Sequence, residues 1–208
     1  MTLLLKLSRL IDAINETVGK LTMWLVLAAV LISALNAVMR KAFSISSNGF
    51  LEIQWYLFAA VFLLAAGYTM KRQEHVKIDV VSSRFSKSTQ IWIDIVGIVC
   101  FLFPFVFTVI TLSMPLVIKA WNTGEMSSNA GGLIRWPVFA LLPIGFTLLG
   151  LQGVSELIKR LAFLQGLVPD PTQKPQGSKT AEEELAEFLL AKEIAVREAA
   201  ALTATAGK

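Results

Sequence analysis

The chain has 208 residues, of which 55% are hydrophobic and only 16% are charged, and its net charge is +4. Soluble domains usually carry about a quarter of charged residues, so this composition excludes an ordinary soluble domain and indicates an integral membrane protein. The basic residues flank apolar runs instead of forming one stripe, which is typical of topology signals and not of a nucleic-acid surface. The single cysteine, Cys100, permits no disulfide within the chain.

The first 20 residues predict an amphipathic helix. Leu3, Leu7, Leu10 and Ile14 recur at helical spacing, and charged residues take the other face. Such a helix is expected either in the membrane interface with its apolar side down, or packed on the inner face of the protein's own bundle. We assign residues 1–20 to an interfacial amphipathic helix.

Four apolar runs follow, each near or above the roughly 18–20 residues that cross a ~30 Å hydrocarbon core as a helix. They lie near residues 21–39, 53–70, 95–118 and 136–155, and none contains Lys, Arg, Asp or Glu. The runs predict an all-α membrane domain of four transmembrane helices over residues 21–160. Lys and Arg concentrate before the first run, between the second and third, and after the fourth, so both termini are expected in the cytoplasm.

Two polar residues of the first run, Ser33 and Asn36, are expected at a contact between helices. Ser33 belongs to a stripe of small residues with Ala29 and Ala37, which permits close helix approach. Asn36 lies beside that stripe, and an unpaired amide is costly in lipid. An interhelical hydrogen bond is therefore the favoured interpretation of Asn36, and ligand contact is the alternative.

The two loops expected on the outer side hold candidate docking residues. Ser47 or Asn48 can cap the second span, and Glu52 suits the positive end of its helix dipole, so capping alone can explain all three residues. The alternative is a polar patch of Arg40 and Glu52 that contacts a partner. In the other loop, Glu125 is expected to pair with Arg135 or with a docking protein.

The connection between the second and third runs contains the only histidine, His75, and also Asp79. These residues offer a poor ligand set for a metal, and a haem held between two helices would require a second histidine. We therefore predict a solvated, hydrogen-bonded loop that fixes the turn between the second and third runs, and no metal site in the chain. There is no phosphate-binding loop, nucleophile elbow or pair of intramembrane carboxylates, which indicates that the chain is not an enzyme.

The third run is rich in phenylalanine, and its residues Phe103 and Phe105 are expected to face lipid or a large hydrophobic partner. After residue 160 the composition changes, and several prolines mark a linker. Residues 161–208 are predicted to be this linker and a cytosolic tail that is partly helical.

Four motifs occur in a characteristic order between about Asn15 and Arg160. They are the segment Asn36 to Arg40; Asn-Gly-Phe-Leu-Glu at Asn48 to Glu52; Gly-Tyr-Thr-Met and then His-Val-Lys-Ile-Asp between Gly67 and Asp79; and Trp121, Gly124-Glu125, Trp136-Pro137, Pro143-Ile144-Gly145-Phe146 and Gln152. With the four-span frame, this order resembles the small Q-type membrane subunit of tripartite ATP-independent periplasmic (TRAP) transporters.

The resemblance implies a scaffold subunit of a sodium-coupled importer of organic acids in a bacterial inner membrane. A large multi-span permease subunit would move the substrate by an elevator-like motion and would bind the sodium, so no cofactor is expected in this chain. The small subunit would pack against the large one, contact phospholipid and help dock the periplasmic solute-binding protein. By this resemblance the docking or outer-interface candidates are Arg40, Asn48, Glu52 and Glu125. The candidates for fixing the inner loop are His75 and Asp79, and no nucleic-acid partner is expected.

Two alternatives remain open from the sequence. A small carrier or channel that acts alone predicts flux through liposomes that contain only this chain. A membrane anchor for a redox enzyme predicts a haem absorbance band, against which the single histidine argues.

Overall fold

The computed structural model describes residues 2–44, 47–73, 85–169, 189–190 and 192. Its helices are α1 (Thr2–Phe43), α2 (Asn48–Arg72), α3 (Lys87–Thr123) and α4 (Trp136–Leu164), each long and apolar enough to cross a membrane. Each helix contains one of the four apolar runs, which confirms the all-helical prediction with four potential spans.

The chain divides into two compact units, which are Met1–Thr172 and Gln173–Lys208. In the second unit the described residues Leu189, Leu190 and Lys192 are helical, and the rest of the predicted tail lies outside the described residues. His75 and Asp79 also lie outside the described residues.

Helix α1 is continuous over 42 residues. At 1.5 Å per residue it is about 63 Å long, roughly twice the ~30 Å thickness of a hydrocarbon core. The amphipathic segment at the N-terminus and the first apolar run therefore belong to one helix. The location of residues 1–20 in the membrane interface stays a prediction.

Helices α1, α2 and α4 pack against one another, and α3 packs chiefly against α4. The three-helix contact depends on Gly67, where a Cβ atom would lie 3.0 Å from Asn15 Cγ on α1 and 3.1 Å from the Leu148 carbonyl oxygen on α4. Both distances are shorter than ordinary van der Waals contact. A residue without a side chain is therefore needed for the three backbones to approach this closely.

A π-helical turn, Ile98–Leu102, interrupts α3 just before Pro104. The Phe103 N–H donates to the Ile98 carbonyl five residues back, because the proline ring blocks the regular pattern and offers no N–H of its own. The turn faces Gly153 of α4, where a Cβ atom would lie 2.7 Å from Leu102 Cδ2. The widened turn thus packs against a position of α4 that carries no side chain.

Candidate functional site

Three residues on one face of α2 hold the loop that connects α3 to α4. Asn48, Glu52 and Tyr56 are spaced four residues apart, so their side chains line up along the helix. Asn48 Nδ2 donates to the Ala130 carbonyl at 3.1 Å, and the Tyr56 hydroxyl donates to the Ile134 carbonyl at 3.2 Å. We call these three residues the α2 stripe and residues 124–135 the long loop.

Glu52 forms the centre of the α2 stripe. The residue is only 1% exposed. Its carboxylate accepts hydrogen bonds from the Ser127 hydroxyl, from Asn129 Nδ2 at 2.8 Å and from the Leu133 backbone N–H at 2.6 Å. Both oxygens are used, so the carboxylate satisfies donors from both sides of the long loop and fixes its shape.

The long loop also has its own backbone pairing. Met126 and Ile134 form an antiparallel bridge, the Ser127 N–H donates to the Leu133 carbonyl at 2.9 Å, and the Arg135 N–H donates to the Glu125 carbonyl at 2.9 Å. The tip of the loop, residues 128–131, is exposed. The loop is therefore a built structure that presents a short tip above the helix ends.

The charges at this end of the bundle are distributed unevenly. Glu125 and Arg135 form the ion pair that their sequence predicts, with Arg135 Nη1 at 3.0 Å from Glu125 Oε1. Arg40 and Lys41 are exposed at the last turn of α1, and the described residues offer neither of them a carboxylate within ion-pair distance. Both acidic groups of this end are thus engaged within the chain, while cations remain outward.

The residues that the sequence predicts at helix contacts or facing lipid differ in burial and in their contacts. Asn36 is buried, but its Oδ1 has no hydrogen-bond partner among the described residues, and neither has the buried Nε2 of Gln54 on α2. Ser33 is half-buried. Phe103 is half-buried against α4 near Gly153, whereas Phe105 is exposed and makes an edge-to-face contact with Phe146 at 5.5 Å between ring centroids.

At the opposite end of the bundle, a chain of ion pairs joins three helices, and sequence reasoning did not identify it. Lys159 of α4 lies 2.7 Å from Asp12 Oδ2 of α1 and 2.9 Å from Glu156 Oε1. Glu156 also pairs with Arg160, which reaches Asp94 of α3 at 3.0 Å. Glu156 and Arg160 are buried. These five residues begin what we call the polar cluster.

Amides and hydroxyls extend the polar cluster along α1. Asn15 Nδ2 donates to Gln152 Oε1 at 3.0 Å, and Gln152 Nε2 donates to Asp12 Oδ1 at 3.0 Å. The Ser155 hydroxyl donates to the same Asp12 oxygen at 2.7 Å, and it lies 2.7 Å from the Ser8 hydroxyl. The N-terminal segment of α1 therefore packs on α4 through its polar face.

Helix α2 closes the polar cluster through Glu16. Lys71 Nζ lies 2.7 Å from Glu16 Oε2, and Arg72 Nη2 lies 2.8 Å from Glu16 Oε1. The Lys71 ammonium also donates to the Asp12 carbonyl at 3.0 Å. Through these contacts all four helices have a side chain in one connected polar network at this end.

A periodic signal for the polar cluster is present in the sequence. Gln152, Ser155, Glu156 and Lys159 share one face of α4, and the polar residues of the α1 segment recur with the same spacing. Within the described ranges, no group of three or more His, Cys, Asp and Glu side chains is placed to hold a metal ion. The contacts described at both ends are hydrogen bonds and ion pairs.

Comparison with known proteins identifies the family. A family model described as tripartite ATP-independent periplasmic transporters, DctQ component, matches residues 29–163. No curated protein and no solved structure matches the chain significantly. The match covers well over half of the chain, and the family is a transporter component and not an enzyme family. The chain therefore belongs to the DctQ family, the small membrane component of TRAP transporters, and is a multi-pass membrane protein.

Proposed function

We propose that the chain is the scaffold subunit of a sodium-coupled importer of organic acids in a bacterial inner membrane. It packs against a large permease subunit, which carries the substrate and the sodium, and its long loop and the adjacent end of α1 help dock a periplasmic binding protein. The family match supports the transporter part of this proposal. The four spans without Lys, Arg, Asp or Glu support a scaffold role, since a carrier usually needs polar groups within the membrane.

The outward faces of the helices support the proposed packing against a large subunit. Helix α3 packs chiefly against α4 and exposes large apolar side chains, among them Phe101, Phe105, Phe107 and Leu112. Such a surface is suited to lipid or to another membrane protein and not to water. We propose that part of it is covered by the large subunit and the remainder by acyl chains.

The proposed docking of a binding protein is based on the charges at the end of the bundle where the long loop lies. Glu52 is buried and bonded to the long loop, so it acts on docking by shaping that loop and not by direct contact. The charge of Glu125 is balanced within the chain by Arg135. The exposed charges are Arg40 and Lys41 of α1 and Lys119 of α3. The matching surface on the binding protein is therefore acidic, and long-range attraction between the two surfaces would raise the rate of encounter.

Charge reversal at Arg40 tests this docking role. The Arg40→Glu variant is co-reconstituted with the large subunit and the binding protein, and substrate uptake is measured over a range of binding-protein concentrations. We expect the binding-protein concentration for half-maximal uptake to rise about tenfold at low salt, because a rim charge acts mainly on association. The maximal rate and the recovery of the complex should stay the same.

Lys192→Glu is the matched control, because it reverses one exposed cation in the second unit. It should leave the concentration dependence unchanged. If Arg40→Glu and Lys192→Glu behave alike, Arg40 has no docking role. If Arg40→Glu prevents recovery of the complex, Arg40 belongs to the assembly interface instead.

A further inference from the structure

The N-terminal segment of α1 has three distinct faces. The bundle face is buried and includes Ser8, Ile11 and Asn15. The leucine face is exposed and consists of Leu3, Leu7, Leu10 and Ile14. The third face is an edge beside the leucine face that carries the exposed cations Lys6, Arg9 and Lys20.

The acidic residues of this segment all point toward the bundle. Asp12 pairs with Lys159 at 2.7 Å, and Glu16 pairs with Lys71 and Arg72. Lys20 also pairs with Glu16, with Lys20 Nζ at 3.3 Å from Glu16 Oε1. Within the described ranges no carboxylate pairs with Lys6 or Arg9, and the only hydrogen bond of the Arg9 side chain is to the Leu5 carbonyl of its own helix, at 3.4 Å.

The leucine face is aligned with the exposed apolar side of the membrane-spanning half of the same helix. At 100° per residue, Leu3, Leu7, Leu10, Ile14 and Leu21 fall within about 60° of one another around the helix axis. Leu21 is also exposed and begins the first apolar run. One surface therefore extends from the membrane-spanning half to the N-terminus, and a single kind of neighbour can cover it.

We propose that residues 3–14 of α1 bind anionic phospholipid. The leucine face is buried among acyl chains, and Lys6 and Arg9 meet the phosphate groups. Two observations favour a lipid surface over a protein partner: the alignment with the apolar face of the span, and the lack of any carboxylate paired with Lys6 or Arg9 among the described residues. The polar cluster fixes the segment on the bundle, so the lipid meets a preformed surface.

A fluorescent probe at Leu7 tests the proposal in the full-length protein. The only natural cysteine, Cys100, is exposed and is first replaced by serine. Leu7→Cys and, as a control on the cationic side of the helix, the exposed Ala13→Cys are labelled with an environment-sensitive dye. The proteins are reconstituted in phosphatidylcholine vesicles with and without phosphatidylglycerol, both containing a quencher on the acyl chain.

We expect stronger quenching at position 7 than at position 13, and an increase at position 7 when phosphatidylglycerol is present. The Lys6→Gln/Arg9→Gln variant should lose this increase, with the preference for phosphatidylglycerol falling about fivefold for each cation removed. The Arg40→Gln/Lys41→Gln variant removes the same charge at the other end of α1 and should retain the increase.

Two results would overturn the proposal. One is a label at position 7 that stays accessible to water in vesicles and forms a cross-link to another protein in native membranes, which would assign the leucine face to a protein partner. The other is an equal dependence on phosphatidylglycerol in the wild type and in Lys6→Gln/Arg9→Gln, which would remove the headgroup contact. Neither result bears on the proposed transport role, because both are read without substrate or binding protein.

Discussion

Replacing Arg160 with leucine tests whether the polar cluster holds the helices together. The Arg160 side chain is 5% exposed, and it pairs with Glu156, which is 3% exposed, and with Asp94 on α3. Leucine removes the cation and leaves two carboxylates with fewer partners. Removing one member of a buried ion pair costs about 3–5 kcal/mol. Because Lys159 remains 2.9 Å from Glu156, we expect the lower end, about 3 kcal/mol.

Thermal unfolding of the detergent-solubilised protein measures this effect. A chain of this size shifts its midpoint by roughly 2–4 °C for each kcal/mol, so Arg160→Leu should unfold roughly 6–12 °C below the wild type. Arg72→Leu is the matched control, because the Arg72 side chain is 40% exposed and its partner Glu16 keeps Lys71. An exposed pair contributes about 0–1 kcal/mol, so this control should lose less than about 4 °C.

The conservative variant separates charge from geometry. Arg160→Lys keeps the cation, but an ammonium lacks the planar fork that reaches Glu156 and Asp94 together, so we expect an intermediate midpoint. If Arg160→Leu loses less than about 4 °C, as expected for the exposed pair of Arg72, the buried ion pairs of Arg160 do not stabilise the bundle and our interpretation of them is wrong.

Two further predictions concern the α2 stripe and the three-helix contact. Glu52→Gln replaces the carboxylate that accepts from the Leu133 N–H by an amide with a single acceptor oxygen, so hydrogen exchange in residues 127–133 should accelerate roughly tenfold. The control variant Glu125→Gln should leave this exchange unchanged. Unchanged exchange in Glu52→Gln would show that Glu52 does not fix the long loop. Gly67→Ala overpacks the contact of α1, α2 and α4 and should cost about 1–3 kcal/mol in thermal unfolding. At Gly97 no atom beyond the adjacent residues and the local helix backbone lies within 4 Å of the added Cβ, so Gly97→Ala should be neutral or stabilising. Equal losses in the two alanine variants would contradict the close packing at Gly67.

The sequence predicted the four potential spans well, because each depends on local apolar length. It separated residues 1–20 from the first apolar run by composition, although one continuous helix contains both. Helix continuity does not require uniform composition. The bundle gives the polar face of the segment hydrogen-bonding partners, which allows the helix to extend through residues that the sequence assigns to another environment.

The polar cluster could not be located from charge counts alone. Its key pairs are far apart in the chain: Asn15 and Gln152 are 137 residues apart, and Ser8 and Ser155 are 147 apart. Flanking Lys and Arg served as topology signals in the sequence, which obscured their pairing with Asp12, Glu16 and Glu156. The periodic polar faces of α1 and α4 indicate which residues point inward, but not which of them meet.

The candidate docking residues were found in part. Asn48 and Glu52 were selected from the sequence, and the structure brings both to the long loop, but Tyr56 was not selected although it continues the four-residue spacing. Helix capping and the dipole explained Glu52 locally, whereas its partners lie 75–81 residues away. The docking roles of Arg40, Asn48, Glu52 and Glu125 stay predictions.

Reconstitution of transport tests the central claim most directly. The chain is purified from native membranes in mild detergent, its partners are identified by mass spectrometry, and sodium-driven uptake is measured in proteoliposomes with each component omitted in turn. We predict stoichiometric recovery of one much larger multi-span protein, and uptake that requires this chain, that protein and the binding protein together. Recovery of the chain alone, combined with substrate flux through liposomes that contain only this chain, would contradict the scaffold role and identify a carrier that acts by itself.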